Sequence, residues 1–338
     1  MVSQARPGEV HPTVTVVVPT LAADETLECC LQSLERQTFS DFEIIVVDNS
    51  GRRAVQSNGR YQVIANDRNL GFGGAVNQAI NRSRAPYVAV LNDDAAAHPD
   101  WLRALVDAIG PRTDVGMCAS QVLLAGEQTL DSAGMLLCGD GSSKQRGHKQ
   151  PAASYARKEE ALLPSGSAAL YRREMLDEVG LFDESFFLYC EDTDLGLRAR
   201  WAGWECLYVP EARVEHRYSH SSGRASGLKA YYVERNRLFV IFKNFPALDL
   251  LLVPFYAVSR YFWHLVYALG GRGKAAEFGR DSSLLRLPWY VLRSHLELVA
   301  RWPAIRRQRR GMKRRLTAKQ FRRLIRHYSI SPRQVAAQ

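Results

Sequence analysis

The sequence predicts a doubly wound α/β domain that continues into a helical, basic C-terminal extension. Three observations point there. Short β-branched runs alternate with helical patterns through the first hundred residues, and the connections between them are short. Four successive strand ends finish in polar residues, and three of those ends carry acid. The charge is also segregated. The 338-residue chain has a formal charge of +10, but residues 301–338 hold 13 Lys and Arg and no Asp or Glu. The remaining 32 basic and 35 acidic residues leave residues 1–300 at −3. The excess positive charge therefore belongs to a tail and says little about the body.

The elements follow in order. Val14 to Val18 (VTVVV) is a β-branched run ended by Pro19, the pattern of a fully buried parallel strand. Asp24 to Gln37 carries Leu27, Leu31 and Leu34 at helical spacing. Glu43 to Val47 (EIIVV) is a second strand that stops at Asp48–Asn49–Ser50–Gly51. Tyr61 to Ala65 is a third, followed by NDRNLGFGGAVNQAI, which turns helical from Ala75. Tyr87 to Leu91 is a fourth, stopping at Asn92–Asp93–Asp94 before a helix at Pro99–Leu105. The middle, 115–230, is mixed: a small-residue strand (Ser165–Tyr171), a helix (Arg173–Val179), an aromatic run into Glu191–Asp192, a helix stopped by Gly203, then the strand CLYVP. Tyr231 to Trp302 is aromatic and aliphatic, broken by Pro246, Pro254 and Pro288. The expected organisation is an N-terminal arm (1–12), a main domain (13–230, divided near 110), an apolar helical extension (231–300) and a basic amphipathic tail (301–338).

Several classes are disfavoured. The six cysteines form no C-x-x-C pair, so buried, reduced thiols in a cytosolic protein are expected rather than a disulfide framework or a zinc site. The first twelve residues have no signal-peptide core. No window of about 18 residues lacks charge, so no clean membrane span is expected. The GFGG run at 71–74 lacks the G-x-G-x-x-G spacing and follows the third strand, which speaks against a dinucleotide cofactor. It reads instead as a loop needing φ > 0, or one that lets the backbone approach a nucleotide sugar or phosphate.

In an open α/β sheet, ligands bind beyond the carboxyl ends of the strands. Here those ends carry Pro19–Thr20, Asp48–Asn49, Asn66–Asp67–Arg68–Asn69 and Asn92–Asp93–Asp94. Adjacent carboxylates such as Asp93 and Asp94 raise each other's pKa, so a positive partner is expected beside them unless the turn is simply solvated. Mg²⁺ or Mn²⁺ held by one carboxylate and a substrate diphosphate suits such a site. Glu191–Asp192 is either ordinary negative charge at a helix N-terminus or a general base with apolar walls. His216, taken alone, reads as a surface histidine; His148, His220 and His264 have no comparable context.

Together these segments resemble the family-2 inverting glycosyltransferases, with their nucleotide-sugar-binding GT-A fold. The residues that carry the resemblance are VTVVVPT at 14–20, the run at 27–51 ending in VVDNSG, NLGFGGAVNQAI at 69–80, VAVLNDDAAAHPDWL at 88–102, the run at 166–203 containing YCEDTDLG, and His216. Within the family the chain looks most like rhamnosyltransferase-type bacterial cell-surface enzymes. The resemblance implies a nucleotide-binding half (13–110) and an acceptor-binding half (111–230). It implies that Pro19, Thr20, Asp48 and Asn49 hold the base and ribose, and that Arg68, Asn69, Gly71 and Gly74 lie beside nucleotide and sugar. Asn92–Asp93–Asp94 fills the D-x-D slot with Asn in place of its first Asp, which makes Asp94 the metal ligand, with His216 completing the metal or diphosphate site. Asp192 is the implied base with Glu191 beside it, and Gly166–Ser167 lies at the acceptor pocket.

The resulting expectation is a metal-dependent inverting glycosyltransferase of cell-envelope polysaccharide assembly. Its donor is a nucleoside diphosphate sugar, dTDP-rhamnose first, and its acceptor a lipid-linked saccharide at the cytoplasmic membrane face. The weighed rivals are a nucleotidyltransferase, for which LAADET at 21–26 offers no phosphate loop, and a nucleic-acid-binding protein, for which the body is net acidic. No nucleic acid partner is expected. Peripheral binding to an anionic membrane is expected from the apolar stretch 248–271 and from the tail. There Leu316, Phe321, Leu324, Ile325 and Tyr328 fall near one helical face beside Lys319, Arg322, Arg323 and Arg326.

Overall fold

A computed structural model describes residues 11–22, 24–217, 227–271 and 286–337; His220 lies outside the described residues. The first half runs β1 (Val14–Thr20), α1 (Glu25–Glu35), β2 (Phe42–Asp48), β3 (Gln62–Ala65), α2 (Gly71–Arg82), β4 (Tyr87–Leu91), β5 (Ala95–Ala97) and α3 (Trp101–Ile109). The second half adds β6 (Val115–Leu124), β7 (Leu130–Ser132), β8 (Met135–Leu137), β9 (Ser143–Gln145) and β10 (Glu159–Glu160). It continues with β11 (Ala168–Arg172), α4 (Arg173–Val179), α5 (Glu191–Trp201) and β12 (Glu205–His216). The C-terminal helices are α6 (Gly227–Asn244), α7 (Val253–Leu269), α8 (Leu287–Gly311), α9 (Ala318–His327) and α10 (Pro332–Ala337).

One mixed sheet joins both halves in the order β10-β12-β6-β11-β4-β1-β2-β3, with β5 on β12 and β7 on β6. Strands β1 to β4 are mutually parallel, whereas β11 runs antiparallel between β4 and β6. Pro19 lies inside β1 rather than ending it. Its missing N–H is harmless there, because the pairing of β1 with β4 stops at Val17. Helices α1 and α3 bury Leu27, Leu31, Leu34, Trp101, Leu102 and Leu105 on one face of the sheet, and α2 buries Val76, Ala79 and Ile80 on the other.

Helix α2 starts at Gly71, four residues before the expected position. The glycines explain the difference. Gly71 has φ +79°, and a Cβ there would run into the carbonyl of Phe187; one on Gly73 would meet Phe182 at 3.0 Å. The GFGG run thus lets α2 close against the segment 182–187 of its own chain. Five of the six cysteines are buried, Cys29 is exposed, and all six are unpaired.

The expected boundary at residue 230 falls inside α6, whose side chains pair with the preceding segments. Lys243 of α6 pairs with Asp183 at 2.5 Å and with Asp194 of α5 at 3.0 Å. A second buried network joins Glu234, Arg237 and Arg260 to Asp140, tying α6 and α7 to the turn before β9.

The tail corrects the expectation placed on it. Phe321 of α9 is fully buried and its ring stacks on Trp201 with centroids 3.9 Å apart. Tyr328 joins the same core, and Leu316, Leu324 and Ile325 pack against it. The apolar stripe of the tail covers the C-terminal end of α5, so it does not face a lipid layer. The apolar surface left in water lies elsewhere. Phe255, Val258, Phe262, Leu265 and Leu269 of α7 are exposed, as are Trp289, Leu292, Leu296 and Val299 of α8. No described helix is long and apolar enough to cross a membrane.

Candidate active site

The site forms where β1, β2 and β4 end and where β12 returns. β4 delivers Asn92–Asp93–Asp94. β5 then pairs antiparallel with the last residues of β12, which sets His216 opposite Ala95 and beside Asp94. His216 Nε2 is 3.1 Å from Asp94 Oδ1, an ion-pair contact without hydrogen-bond alignment. Its Nδ1 bonds Asp131 Oδ2 at 2.9 Å, and His148 Nδ1 lies 3.3 Å from the other Asp131 oxygen. Burial opposes a charge on His216, but the contacts with Asp131 and Asp94 outweigh it and push its pKa up to about 10. Burial also pushes Asp93 up to about 6, against the Thr20 hydroxyl, with the neighbouring Asp94 adding to the rise.

Asp131 carries no motif and sits in the three-residue β7, so the sequence reading missed it. Its signal was an acid flanked by Leu130 and Ser132 in a segment too short to show a period.

A second carboxylate pair lies across the loop 165–167. Glu191 opens α5, and burial followed by the charge of Asp192 pushes its pKa up to about 8. Its Oε2 is buried without a hydrogen-bond partner among the described residues. Asp192 differs. Burial raises it too, but its carboxylate accepts from Gly166 N at 2.9 Å and from Thr193 N at 2.6 Å. Glu191 thus keeps a proton near neutrality, whereas the two backbone N–H groups on Asp192 favour its charged form against burial. The same loop faces the other end of the site, because Ser167 O accepts from Asn92 N at 2.9 Å. Two adjacent residues, Gly166 and Ser167, thus carry the contact to Asp192 and the contact to the β4 end.

The β2 and β3 ends are organised by their own hydrogen bonds. Asp48 accepts from Ser50 N at 3.0 Å and Val55 N at 2.9 Å; burial raises its pKa, but these bonds win and lower it. Asn49 donates to Asn69 Oδ1 at 2.9 Å and to Gly71 O at 3.1 Å, and accepts from Leu70 N at 2.9 Å. These side chains fix the loop 66–71. Arg68 stands exposed on its rim, and Pro19 and Thr20 close the side next to β1. Gly74 is buried against Leu70 and Glu184. The structure thus gathers Thr20, Asp93, Asp94 and His216 at one end, and Gly166, Ser167, Glu191 and Asp192 at the other.

Residues 15–180 match the family described as Glycosyl transferase family 2. A protein of Mycobacterium tuberculosis, N-acetylglucosaminyl-diphospho-decaprenol L-rhamnosyltransferase, is 32% identical over 247 residues, covering 64% of this chain and 80% of that relative. The chain belongs to glycosyltransferase family 2. Another relative of this glycosyltransferase, the uncharacterized protein y4gI of Sinorhizobium fredii, is 30% identical over 236 residues, which is 64% of this chain and 26% of that protein. Among solved structures, GalNAc-T7 with UDP, GalNAc and Mn²⁺ superposes with a TM-score of 0.59 at 15% identity, over 87% of this chain and 59% of that one. That likeness shows the GT-A fold. The family-2 glycosyltransferase therefore has the nucleotide-sugar fold expected of it, with a helical C-terminal region.

Proposed function

We propose that this glycosyltransferase is a metal-dependent, inverting enzyme. It would move a sugar, rhamnose from dTDP-rhamnose first, onto a lipid-linked saccharide at the cytoplasmic face of the membrane during cell-envelope polysaccharide assembly. The observation that carries the reading is the Gly166–Ser167 turn, which holds Asp192 on one side and the β4 end on the other. The relative that acts on a decaprenol-linked N-acetylglucosamine supports the acceptor class.

The residues present fit a divalent cation. Asp94 Oδ1 is buried with no hydrogen-bond partner among the described residues, next to the Nε2 of His216. No group of three or more His, Cys, Asp and Glu is placed to hold a metal ion by itself among the described residues. Asp94 and His216 would hold Mg²⁺ or Mn²⁺ with the rest of its shell supplied by substrate oxygens and water, a common arrangement for these ions. When bound, the cation would neutralise the diphosphate leaving group.

The chain's own residues do the rest. Thr20, Asp48, Asn49, Asn69, Gly71 and Gly74 shape the cleft at the ends of β1 to β3 for the nucleotide, and Arg68 offers a cation at its rim. Asn92 and Asp93 line the donor side. Gly166 and Ser167 border the acceptor. Asp192 takes the proton of the acceptor hydroxyl, using lone pairs that Gly166 and Thr193 leave free. Glu191, protonated, keeps a second negative charge away from that step. Attack from the side of Asp192, opposite the leaving group, inverts the anomeric centre.

The membrane surface enters through α7 rather than the tail. Its exposed residues Phe255, Val258, Phe262, Leu265 and Leu269 form one stripe at helical spacing. Its arginine, Arg260, is buried in an ion network, and burial lowers the pKa of His264 to about 4, so that it is neutral. The arginines of α8 and the tail would add attraction to anionic headgroups.

A thermal-shift screen of nucleoside diphosphate sugars with Mg²⁺ or Mn²⁺ tests the donor. Transfer from the best donor to a short-chain prenyl-diphospho-N-acetylglucosamine tests the acceptor. Stabilisation by no nucleoside diphosphate sugar would overturn the reading.

A further inference from the structure

Just before the Glu191–Asp192 pair the backbone takes a conformation that side chains resist. Phe187, Tyr189 and Cys190 have φ of 63°, 69° and 66°, in the left-handed region that non-glycine residues rarely enter. Three such residues within four positions persist only when the surroundings over-determine them. Cys190 is also the residue from which α5 starts, so the turn sets the direction in which the two carboxylates are presented.

Two buried side chains of α6 supply the constraint. Asn236 Nδ2 lies 2.9 Å from Phe186 O, 2.7 Å from Leu188 O and 2.7 Å from Tyr189 O. Two N–H groups thus serve three carbonyls. Arg235 Nη2 donates to Ser185 O at 2.8 Å and Phe186 O at 2.7 Å, while its Nε donates to Asn236 Oδ1 at 2.8 Å. The carbonyl of Phe187 points the other way, where Phe72 N donates to it at 2.8 Å over the bare Cα of Gly71. The turn is gripped by α6 on one side and by the start of α2 on the other. A merely satisfied polar pair would spread its donors over several neighbours; here five donor contacts converge on the carbonyls of residues 185–189.

We propose that Asn236 and Arg235 are positioning residues for glycosyl transfer. They hold the left-handed turn 186–190, and through it fix where the Asp192 carboxylate stands against Gly166. The inference rests on Asp192 being the base. It also gives the glycine run a second consequence, since the start of α2, where the donor-side loop ends at Gly71, braces the turn that presents the acceptor-side carboxylate.

The test compares Asn236→Ala, Arg235→Lys and Asp192→Asn in transfer from dTDP-rhamnose to the prenyl-diphospho-N-acetylglucosamine, with dTDP affinity measured by calorimetry. Asn236→Ala is expected to lower kcat about 100-fold, the scale of a 1 Å misplacement, with dTDP affinity unchanged. The acid limb of its kcat–pH profile should move to lower pH, because a loosened turn admits water to Asp192. Arg235→Lys keeps the charge but loses the fork, and is expected to show the same pattern at about a tenfold loss. It also carries the test if Asn236→Ala does not fold. Activity that falls only with the folded fraction, with the acid limb in place, overturns the inference. So does wild-type kcat in both variants while Asp192→Asn is inactive. An active Asp192→Asn overturns instead the assignment of the base on which the inference stands.

Discussion

Asp131 and His216, 85 residues apart in sequence, share a buried hydrogen bond of 2.9 Å that aims the other ring nitrogen of His216 at Asp94. A carboxylate behind a histidine fixes its tautomer and orientation, and losing such a partner costs about 10- to 100-fold in metal affinity. Asp131→Asn should therefore weaken Mn²⁺ binding by about that factor, read by calorimetry, while Asp94→Asn should weaken it more. Because the His216 proton must leave before Nε2 can act as a ligand, affinity should rise with pH up to the His216 pKa near 10. Equal Mn²⁺ affinity in all three proteins would remove Asp94 and His216 as ligands.

Glu191 gives a stability prediction that needs no substrate. Its pKa is raised from 4.5 to about 8 in the folded protein. The folded state thus binds more protons than the unfolded state between those values, and stability falls as pH rises through them. Glu191→Gln removes that loss. Its Tm should exceed that of the wild type more at pH 8 than at pH 5, and a pH-independent difference would show that Glu191 is not the protonated member of the pair.

Asp192→Asn removes the proposed base without touching the nucleotide side. Donor affinity should survive while the chemical step slows by about 10² to 10⁴. Glu191→Gln should slow it far less, since that group is already neutral near pH 7. Reversed effects in the two variants would exchange their roles.

Phe321→Ala should cost about 3–5 kcal/mol of stability, because it opens a cavity beneath the Trp201 ring. Denaturant unfolding measures it. A loss under about 1 kcal/mol would mean that the tail is not docked in solution.

Phe262→Glu with Leu265→Glu should abolish flotation with anionic phospholipid vesicles at low salt. The fold and the binding of nucleoside diphosphate should be kept, because both side chains are exposed. If the double variant floats as the wild type does, or changes only a concentration-dependent oligomer, the α7 stripe is not a membrane surface.

The strands β1 to β4 and the carboxylates at their ends were legible because buried parallel strands read as unbroken apolar runs that stop at polar residues. Glu191 and Asp192 were legible as a pair, but the difference between their hydrogen bonding was not. That depends on Gly166 N reaching one of them across 26 residues of chain. Asn236 and Arg235 sit in ERNRLF, where a polar face turned to a neighbouring turn cannot be told from one turned to water. The tail was misread for a related reason. An apolar stripe with basic flanks has the same sequence pattern whether it covers lipid or Trp201.

The burial of Trp201 under Phe321 has a consequence for the order in which the enzyme matures on the ribosome. The match to the family ends at residue 180, and α5 follows within a few turns of chain. Yet the far side of α5 gains its cover only after Phe321 and Tyr328 have been synthesised, more than a hundred residues later. Until those residues are made, Trp201 at the end of α5 lacks the ring that stacks on it. The last turn of α5 is thus covered by chain far downstream of the family match, after every strand of the sheet has been made.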